Sequence, residues 1–549
     1  MVERKMGRNR YNFSGAMAGV HSSCGKGRNR GPASRDSFAD LMRDTSLKHN
    51  NVQHTENGAR GYATTGRALL DASFKLGSCR TLPVPELEKT FAKALAEDKV
   101  LAAKFLFYAR DARGGAGERQ YFRDMIRLYA KTHIPDAVKL IPLIPEYGRY
   151  DDLFWLFGIS DGLDKELYAF IGATLLKDID DARAGRPITL LAKWMPSFGA
   201  KSPMGNAVAL MLIRELFDDN WRLYKRTLSF LRGYLDVVER KMSMSEWQKI
   251  NYSAVPSRAN ILYNGAFLRH DEARRREYLA SVAEGREKIN ASVLFPHEIA
   301  HKLAPNIGWN LSHRTVFDTE HLEMCEALWK ALPNTGTLPN TLVVQDGSGS
   351  MTASIGRSSN GPKALHVSTA LAIYFAERCV GGFRNKYVTF SRNPEIIDIS
   401  LAKSFESKLR MALANSDCSN TNLYGVFELV LMTAIAHGMT QADLPETILV
   451  ISDMEFDGRS FGWGSRSLMQ EIADRYAEHG FKLPRLAFWN VCSRTGAIPM
   501  LENENGVVLV SGFSPSVIKA VMSGKTDPYE ALLETLNSDR YKAVEDVLT

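Results

Sequence analysis

The stretch TLVVQDGSGSM, residues 341–351, decides how the C-terminal part of the chain folds. Its apolar, β-branched beginning predicts a buried strand, and the Asp-Gly-Ser-Gly-Ser that follows predicts a tight turn at the end of that strand. Asp346, Ser348 and Ser350 stand at alternate positions, so their oxygen atoms can converge on one point. One carboxylate and two hydroxyls are ligands that hard divalent cations accept.

The region around this stretch alternates between strand and helix patterns. It predicts helices over 362–379, 422–438 and 465–480, and strands within 385–399 and over 447–456, 486–492 and 507–513. This alternation predicts a parallel sheet covered by helices on both faces. Sites in such sheets form at the carboxyl ends of strands. Asp453 stands at such an end, and Thr421 stands just before a predicted helix.

The five residues Asp346, Ser348, Ser350, Thr421 and Asp453 resemble, in order, the metal-ion-dependent adhesion site of von Willebrand factor A domains. The resemblance covers residues 338–525 and implies a doubly wound parallel-sheet fold. It also implies that these five residues bind Mg²⁺ or another divalent cation such as Mn²⁺ or Ca²⁺. In that family one coordination position stays open for a carboxylate from a partner protein, or here from a neighbouring part of the chain.

The region before this domain has a helical pattern instead. Apolar residues recur at three- and four-residue spacing over about 60–330, for example in 87–111, 118–133, 220–242 and 270–285. Successive helix pairs predict a stacked all-helical array. We therefore expect a basic, largely disordered arm over 1–54, a helical array over 55–335, the A domain over 338–525, and a C-terminal helix over 526–549 that docks back onto the array.

A helical array followed by an A domain resembles the TROVE-containing Ro autoantigen proteins, and more closely an uncharacterised branch with the same layout. The stretches that carry this resemblance are TENGARGYATTGRALLD (55–71), FYARDARGGAGERQYFRDMIR (107–127), LIPEYGRYDDLFWLF (143–157), LLAKWMPS (190–197), YLDVVERKMSMSEWQKINYSAVPSRA (234–259), INASVLFPHEIAHKL (289–303) and VISDMEFDG (450–458). The resemblance implies HEAT-like helices, an array that could close into a ring, and binding of non-coding or misfolded RNA with single-stranded ends, as in a ribonucleoprotein.

Basic residues in the helical half are independent candidates for contacts to RNA. Arg119, Arg123, Arg127 and Lys131 recur at four-residue spacing and predict a basic stripe on one helix. Arg110 and Arg113 precede this stripe, and Lys193 and Lys201 flank an aromatic loop. Such clusters suit phosphate neutralisation and base stacking. The alternative is a solvated helix face whose arginines pair with nearby carboxylates.

Three other functions compete with RNA binding. A metal-dependent protein-interaction scaffold would use the A domain alone. HEIAH, residues 297–301, fits the HExxH zinc-protease signature, with Glu320 or Glu323 as a third ligand. Pro296 and Pro305 restrict that helix to about two turns, so we favour local packing of its histidines. Asp453 and Glu455 also match the paired acids of nucleases, and we expect a protein that is not an enzyme.

Composition adds limits on partners and compartment. The chain has 549 residues, which is too long for one hydrophobic core, and a net charge of +7, which permits a nucleic-acid partner. Six scattered cysteines without a CxxC pair indicate a reducing compartment, which we expect to be the cytoplasm. No apolar run reaches the roughly 18 residues of a membrane span, so we expect no membrane partner.

Overall fold

The computed structural model describes residues 51–58, 60–307, 315–356, 358, 360–416, 421–456, 468–498, 507–523, 525 and 527–549. The predicted arm over 1–54 lies outside these ranges except for its last four residues. In the described part of the chain, no helix is long and apolar enough to cross a membrane.

The helical array occupies the region where the sequence predicts it. Its helices are α1 (Ala68–Lys75), α2 (Val84–Glu97), α3 (Lys99–Arg110), α4 (Arg119–Thr132), α5 (Ile134–Leu140), α6 (Ile144–Tyr147), α7 (Tyr150–Leu153), α8 (Asp161–Arg183), α9 (Leu191–Trp194), α10 (Pro203–Phe217), α11 (Trp221–Tyr234), α12 (Val238–Ser243), α13 (Ser257–Ala283), α14 (Pro296–Leu303) and α15 (Leu322–Lys330).

One predicted helix of the array is two. The sequence predicts a single helix over 87–111, but Asp98 has an extended backbone between α2 and α3. Its carboxylate accepts a hydrogen bond from the Leu101 amide at 2.8 Å and caps α3. The aspartate satisfies a backbone donor that would be left unpaired at the start of a helix, so the chain turns there although its apolar periodicity continues.

The C-terminal half, for which A domain is used below as a label of residues 338–525, folds into a six-stranded sheet. The strands are β3 (Thr341–Asp346), β4 (Lys386–Phe390), β5 (Ile396–Asp398), β6 (Thr447–Ser452), β7 (Arg485–Asn490) and β8 (Val507–Ser511), and their order is β5-β4-β3-β6-β7-β8. Only β5 is antiparallel to its neighbour. Chain order therefore reverses between β3 and β6, which confirms the predicted doubly wound parallel sheet.

Helices cover both faces of this sheet. They are α16 (Ala364–Ala376), α17 (Phe405–Ala414), α18 (Leu423–Ala436), α19 (Leu468–Glu478) and α20 (Ile518–Met522). Val343 packs in one core with residues of α16, and its neighbour Val344 packs in another with Phe427 of α18. All six residues of β3 and of β6 are buried, which explains the apolar runs 342–344 and 448–451 within them.

A short hairpin corrects the predicted start of the array. Strands β1 (Val52–His54) and β2 (Arg60–Tyr62) pair antiparallel, where the sequence predicts the first array residues. Tyr62 donates to the Ile498 carbonyl at 2.8 Å and accepts from its amide at 2.9 Å. The hairpin therefore belongs to the surface of the A domain, although it is joined directly to α1.

Both ends of the array meet on the A domain. Phe513, just after β8, lies with its ring centroid 4.4 Å from the Arg80 guanidinium carbon and 5.4 Å from the centroid of the His297 ring. Arg80 follows α1, and His297 lies in α14 near the other end of the array. Ile299 of α14 also shares one apolar core with residues of α16 and β3. The A domain thus contacts residues near the beginning of the array and residues near its end.

The C-terminal segment folds as two helices rather than the one that was predicted. They are α21 (Pro528–Leu536) and α22 (Lys542–Leu548). Leu536 and Tyr541 are buried in the core of the first array helices, and Arg540 donates two hydrogen bonds to the Asp111 carboxylate after α3. The predicted docking of this segment onto the array is therefore present in the structure.

Candidate functional site

The predicted oxygen ligands lie where two parallel strands of the A domain end. Asp346 is the last residue of β3, and Asp453 directly follows β6, which is hydrogen-bonded to β3. Chain order reverses between these two strands, so a crevice forms beyond their carboxyl ends. Asp346, Ser348 and Asp453 are buried, and Ser350 is partly exposed at the mouth of this crevice.

Hydrogen bonds hold the Asp-Gly-Ser-Gly-Ser turn in one shape. The Ser348 amide donates to Asp346 Oδ1 at 2.9 Å, and the Ser452 hydroxyl donates to Asp346 Oδ2 at 2.5 Å. The hydroxyl oxygens of Ser348 and Ser350 lie 2.9 Å apart. A Cβ atom on Gly347 would lie 2.9 Å from the Ser416 Cβ, so only glycine fits there. The turn is thus preformed, with its side-chain oxygens gathered.

Thr421, the remaining predicted ligand, is buried and lies directly before α18. It follows Ser416 by five residues, and Ser416 contacts Gly347. The chain segment that ends at Thr421 therefore begins beside the Asp-Gly-Ser-Gly-Ser turn.

Two buried carboxylates give this crevice an unfavourable negative charge. Burial raises the pKa of the Asp453 carboxyl well above its ordinary value, and the negative charge of Asp346 raises it further. A hydrogen bond from Ser350 and the positive charge of Arg494 act in the opposite direction on that pKa. A divalent cation would neutralise both carboxylates, and hydroxyls would complete its oxygen shell. The donor set therefore fits Mg²⁺, Mn²⁺ or Ca²⁺.

Glu455 has a different role from the catalytic one that paired acids suggest. It is buried, and Oε1 accepts hydrogen bonds from the Arg494 amide at 2.8 Å and the Thr495 amide at 3.0 Å. Oε2 accepts from the Glu56 amide at 2.7 Å. Both oxygens thus tie the hairpin and the loop after β7 to the end of β6.

The sequence did not point to Glu56 or Arg494 as members of this site. Glu56 lies at the tip of the hairpin, and its carboxylate pairs with Arg494 at 2.7 Å. Arg494 in turn lies 3.8 Å from Asp453. These residues are far apart in the chain and carry no shared motif, so only the folded hairpin brings them together.

A second candidate site is an open cavity of about 1450 Å³ lined by the helical array. Its lining extends from Arg80 after α1 to Glu298 in α14 and includes three acidic side chains, Glu118, Glu239 and Glu298. Ten basic side chains line it: Arg80, Arg110, Arg113, Arg119, Arg149, Lys193, Lys225, Arg232, Arg240 and Arg258. This excess of positive charge attracts polyanions.

Six of these basic side chains have no acidic partner in the described part of the chain, and one of the six, Arg232, donates to the backbone carbonyls of Ala192 and Met195 instead. Among the described residues, no carboxylate oxygen lies within 4.0 Å of Arg113, Arg119, Lys193, Lys225 or Arg240. Burial lowers the pKa of Arg119 to about 10, and the positive charges of Arg149 and Arg123 add to that effect. A negatively charged ligand would relieve this repulsion.

Aromatic side chains accompany the charges. Trp194 lines the cavity, with the Arg149 guanidinium carbon 3.9 Å and the Lys193 amino group 5.8 Å from its ring centroid. Phe198 and Tyr263 line it as well. Flat rings beside cations suit the stacking of nucleobases next to their phosphates.

The predicted RNA-contacting residues divide between the cavity and other places. Arg110, Arg113, Arg119 and Lys193 line the cavity, and Lys131 and Lys201 are exposed elsewhere. The stripe on α4 is not a solvated face throughout, because Arg123 is buried and donates to the Asp152 carboxylate at 2.6 Å. Arg110, at the end of α3, is also buried and donates to the same carboxylate at 2.7 Å.

Arg127, the remaining residue of the stripe, donates to the backbone carbonyls of Trp155 and Phe157 at 2.7 and 3.1 Å. The stripe thus supplies one cavity residue, Arg119, and two arginines that hold α4 against the following turns.

HEIAH lies in α14, which has eight residues, as its flanking prolines predict. His297 is buried between Phe295 and Phe513, and His301 packs its ring edge on His366 with centroids 4.9 Å apart. Within the described ranges, the one place where three potential metal-ligating side chains converge is Asp318, Glu320 and His321. In those ranges, the two histidines of HEIAH are therefore not joined by a third metal-ligating side chain.

Two family models match the chain on either side of the predicted start of the A domain at residue 338. Residues 172–335 match the family model described as domain of unknown function DUF2828, and residues 340–546 match the one described as domain of unknown function DUF7788. A curated relative from Acanthamoeba polyphaga mimivirus, uncharacterized protein L728, is 28% identical over 526 residues, which cover 88% of this chain and 87% of the relative.

Among solved structures, the chain is similar to the Deinococcus radiodurans RO (RSR) protein at 13% identity. This similarity covers 86% of this chain and 99% of that one, with a TM-score of 0.34. The chain is thus similar to two families described as domains of unknown function, to a mimivirus protein, and to a bacterial Ro protein.

Proposed function

We propose that this protein binds RNA in the cavity of its helical array and carries a divalent-cation site in its A domain. The excess of basic side chains on the cavity lining is the observation that carries the RNA proposal. Phosphate groups are the ligands for which unpaired arginines and lysines beside aromatic rings are best suited. The resemblance to Ro proteins makes non-coding or misfolded RNA with a single-stranded end the preferred ligand.

The aromatic rings of the cavity favour single-stranded RNA. Single-stranded RNA exposes bases that can stack on Trp194 or Phe198 while cations contact its backbone. A duplex keeps its bases stacked on one another, so it would use the charges but not the rings. The proposal therefore includes preference for RNA with an unpaired tail over blunt duplex RNA.

A charge-neutralising variant tests this proposal. Arg113, Arg119, Lys193, Lys225 and Arg240 would all be replaced by Gln. The matched control replaces five exposed basic residues outside the cavity lining by Gln: Lys131, Lys139, Lys165, Lys201 and Arg226. Both variants lose the same net charge, so a difference between them reports position rather than overall charge.

The assay is filter binding of tailed RNA over a series of salt concentrations. Each phosphate contact with a single strand contributes about 0.7 to the slope of log affinity against log salt, so the cavity variant should lose about 3–4 from that slope. The control should keep most of its slope. Equal slopes for the two variants, or loss in the control alone, would place RNA outside the cavity.

The cation site supports a second function of the A domain, namely contact with a carboxylate. Asp346, Ser348, Ser350, Thr421 and Asp453 would hold the cation and leave a position for an acidic side chain from a protein partner or from this chain. In a scaffold without RNA this would be the main activity. Thermal denaturation with Mg²⁺ tests the cation: we expect stabilisation of the natural protein and none in Asp346→Ala. The ratio of absorbance at 260 and 280 nm of purified protein separates an RNA binder from such a scaffold.

The proposed function is binding rather than catalysis, in a reducing compartment such as the cytoplasm. Supporting this, the described cysteines Cys79, Cys325, Cys379 and Cys492 are all free.

A further inference from the structure

The tip of the N-terminal hairpin lies beside the proposed cation site of the A domain. Glu56 stands in the turn between β1 and β2, and its carboxylate is more than half exposed. It forms an ion pair with Arg494, whose Nη2 lies 2.7 Å from Glu56 Oε2. The same nitrogen of Arg494, Nη2, lies 3.8 Å from Oδ2 of Asp453. A single guanidinium nitrogen thus bridges the carboxylates of Glu56 and of a proposed cation ligand.

Hydrogen bonds that are buried or partly buried fix the backbone of this tip. The Glu56 amide donates to Glu455 at 2.7 Å, and the Asn57 side chain donates to the Glu455 carbonyl at 2.7 Å. The Thr55 hydroxyl donates to the Phe456 carbonyl, also at 2.7 Å. Three consecutive residues of the hairpin are therefore bound to the segment that immediately follows Asp453. The backbone of Glu56 is thus held in place, while its side chain is more than half exposed.

The negative charges of the two aspartates explain why Arg494 lies beside them. Asp346 and Asp453 are buried, and Arg494 provides a positive charge near them. A divalent cation bound to these two aspartates would supply that charge more directly and repel the guanidinium. Glu56 would then lose its ion pair with Arg494 and could bind the cation, because carboxylates bind hard cations more strongly than they bind an exposed arginine.

We propose that Glu56 is a ligand in cis for the divalent cation of the A domain. When the cation binds, the Glu56 carboxylate leaves Arg494 and fills the coordination position that A domains keep open for a partner. The hairpin then acts as an internal occupant of the adhesion site, and an external carboxylate must displace it. This inference rests on the proposed cation site and adds one ligand and one form of regulation to it.

A plain surface ion pair is the competing explanation for Glu56 and Arg494. Such a pair contributes about 0–1 kcal/mol and would respond to salt but not to a divalent cation. The two explanations differ in what Glu56→Gln does to cation binding. Glu86→Gln is the matched control, since Glu86 is also partly exposed and pairs with Lys75 at 3.7 Å, a lysine that forms no ion pair with either aspartate among the described residues.

The experiment measures Mn²⁺ binding to the full chain by electron paramagnetic resonance of free Mn²⁺. We expect Glu56→Gln to bind Mn²⁺ at least tenfold more weakly than the natural protein, and Glu86→Gln to bind it equally well. Hydrogen exchange provides a second readout. Mn²⁺ or Mg²⁺ should slow exchange of amides in residues 52–62 of the natural protein, and this slowing should be lost in Glu56→Gln.

Acetate competition completes the test. Acetate should add to the cation in Glu56→Gln at concentrations that leave the natural protein unchanged. Equal Mn²⁺ affinity and equal hairpin exchange in the natural protein and Glu56→Gln would overturn the inference while leaving the cation site intact. Absence of Mn²⁺ binding in the natural protein, or equal binding by Asp346→Ala, would overturn the cation site and this inference together.

Discussion

Replacing Asp152 by Asn tests whether Arg110 and Arg123 are structural residues or RNA contacts. The Asp152 side chain is fully buried and accepts hydrogen bonds from Arg110 at 2.7 Å, Arg123 at 2.6 Å and the Arg149 amide at 3.0 Å. An Asn side chain has a single acceptor oxygen and no charge. It would lose about two charge-assisted hydrogen bonds, each contributing about 1.5–3 kcal/mol. Because Arg110 would be left buried without a carboxylate partner and Arg123 would keep only Asp151, we expect a loss of about 3–5 kcal/mol.

Hydrogen exchange of amides in α4 measures this loss where it occurs, since a chain of several domains need not unfold in one step. The expected loss corresponds to exchange that is faster by about two to four orders of magnitude. Asp151→Asn is the control: Asp151 is partly exposed and pairs with Arg149 and Arg123, so its replacement should cost less than about 1 kcal/mol. Similar small effects of the two substitutions would refute the assignment of Arg110 and Arg123 to a buried ion-pair network.

Two further predictions concern the A domain and its contact with the array. Because the folded-state pKa of Asp453 is raised above the unfolded value, the cation-free protein should lose stability as pH rises from about 4 toward about 7. Cation binding needs the deprotonated form, so Mg²⁺ should raise the melting temperature more at pH 8 than at pH 5.5; equal shifts at both pH values would contradict this. In Gly77→Ala, the added methyl group would lie 2.2 Å from the Asn490 carbonyl oxygen, so α1 must move away from the sheet, at about 1–3 kcal/mol in urea unfolding. Gly162→Ala, where nothing lies within 4 Å, should be neutral, and an equal loss there would show that the Gly77 contact does not matter.

The A domain was the most predictable part of the fold, because its signals are local. Strands such as Thr447–Ser452 contain continuous apolar runs, here residues 448–451, since both faces of the sheet are covered. Asp346 and Asp453 could be placed at strand ends from the sequence, and parallel strands bring those ends to one edge. Their convergence followed from topology and needed no knowledge of side-chain packing.

Elements completed by distant residues were not predictable in this way. Strands β1 and β2 have three residues each, too short for a periodic signal, and the second gains its remaining hydrogen bonds from Ile498. The basic spacing on α4 showed correctly that its arginines share a side of the helix. It could not show that Asp152, from a later turn, buries Arg123. Asp98, by contrast, carried a recognisable capping signal that the apolar periodicity around it obscured.

The core shared by α14, α15 and α16 bears on how this chain can change over evolutionary time. Ile299 and Leu328 from the array pack in one cluster with Ala370 of the A domain, so the apolar contact crosses the junction between the two matched families. Leu536 and Tyr541, at the far end of the second family match, pack instead with helices that precede the first. A substitution on one side of the junction therefore alters the fit on the other. Residues on the two sides of this contact should therefore change together. If either half were lost, the apolar surface of the remaining half would be exposed to solvent.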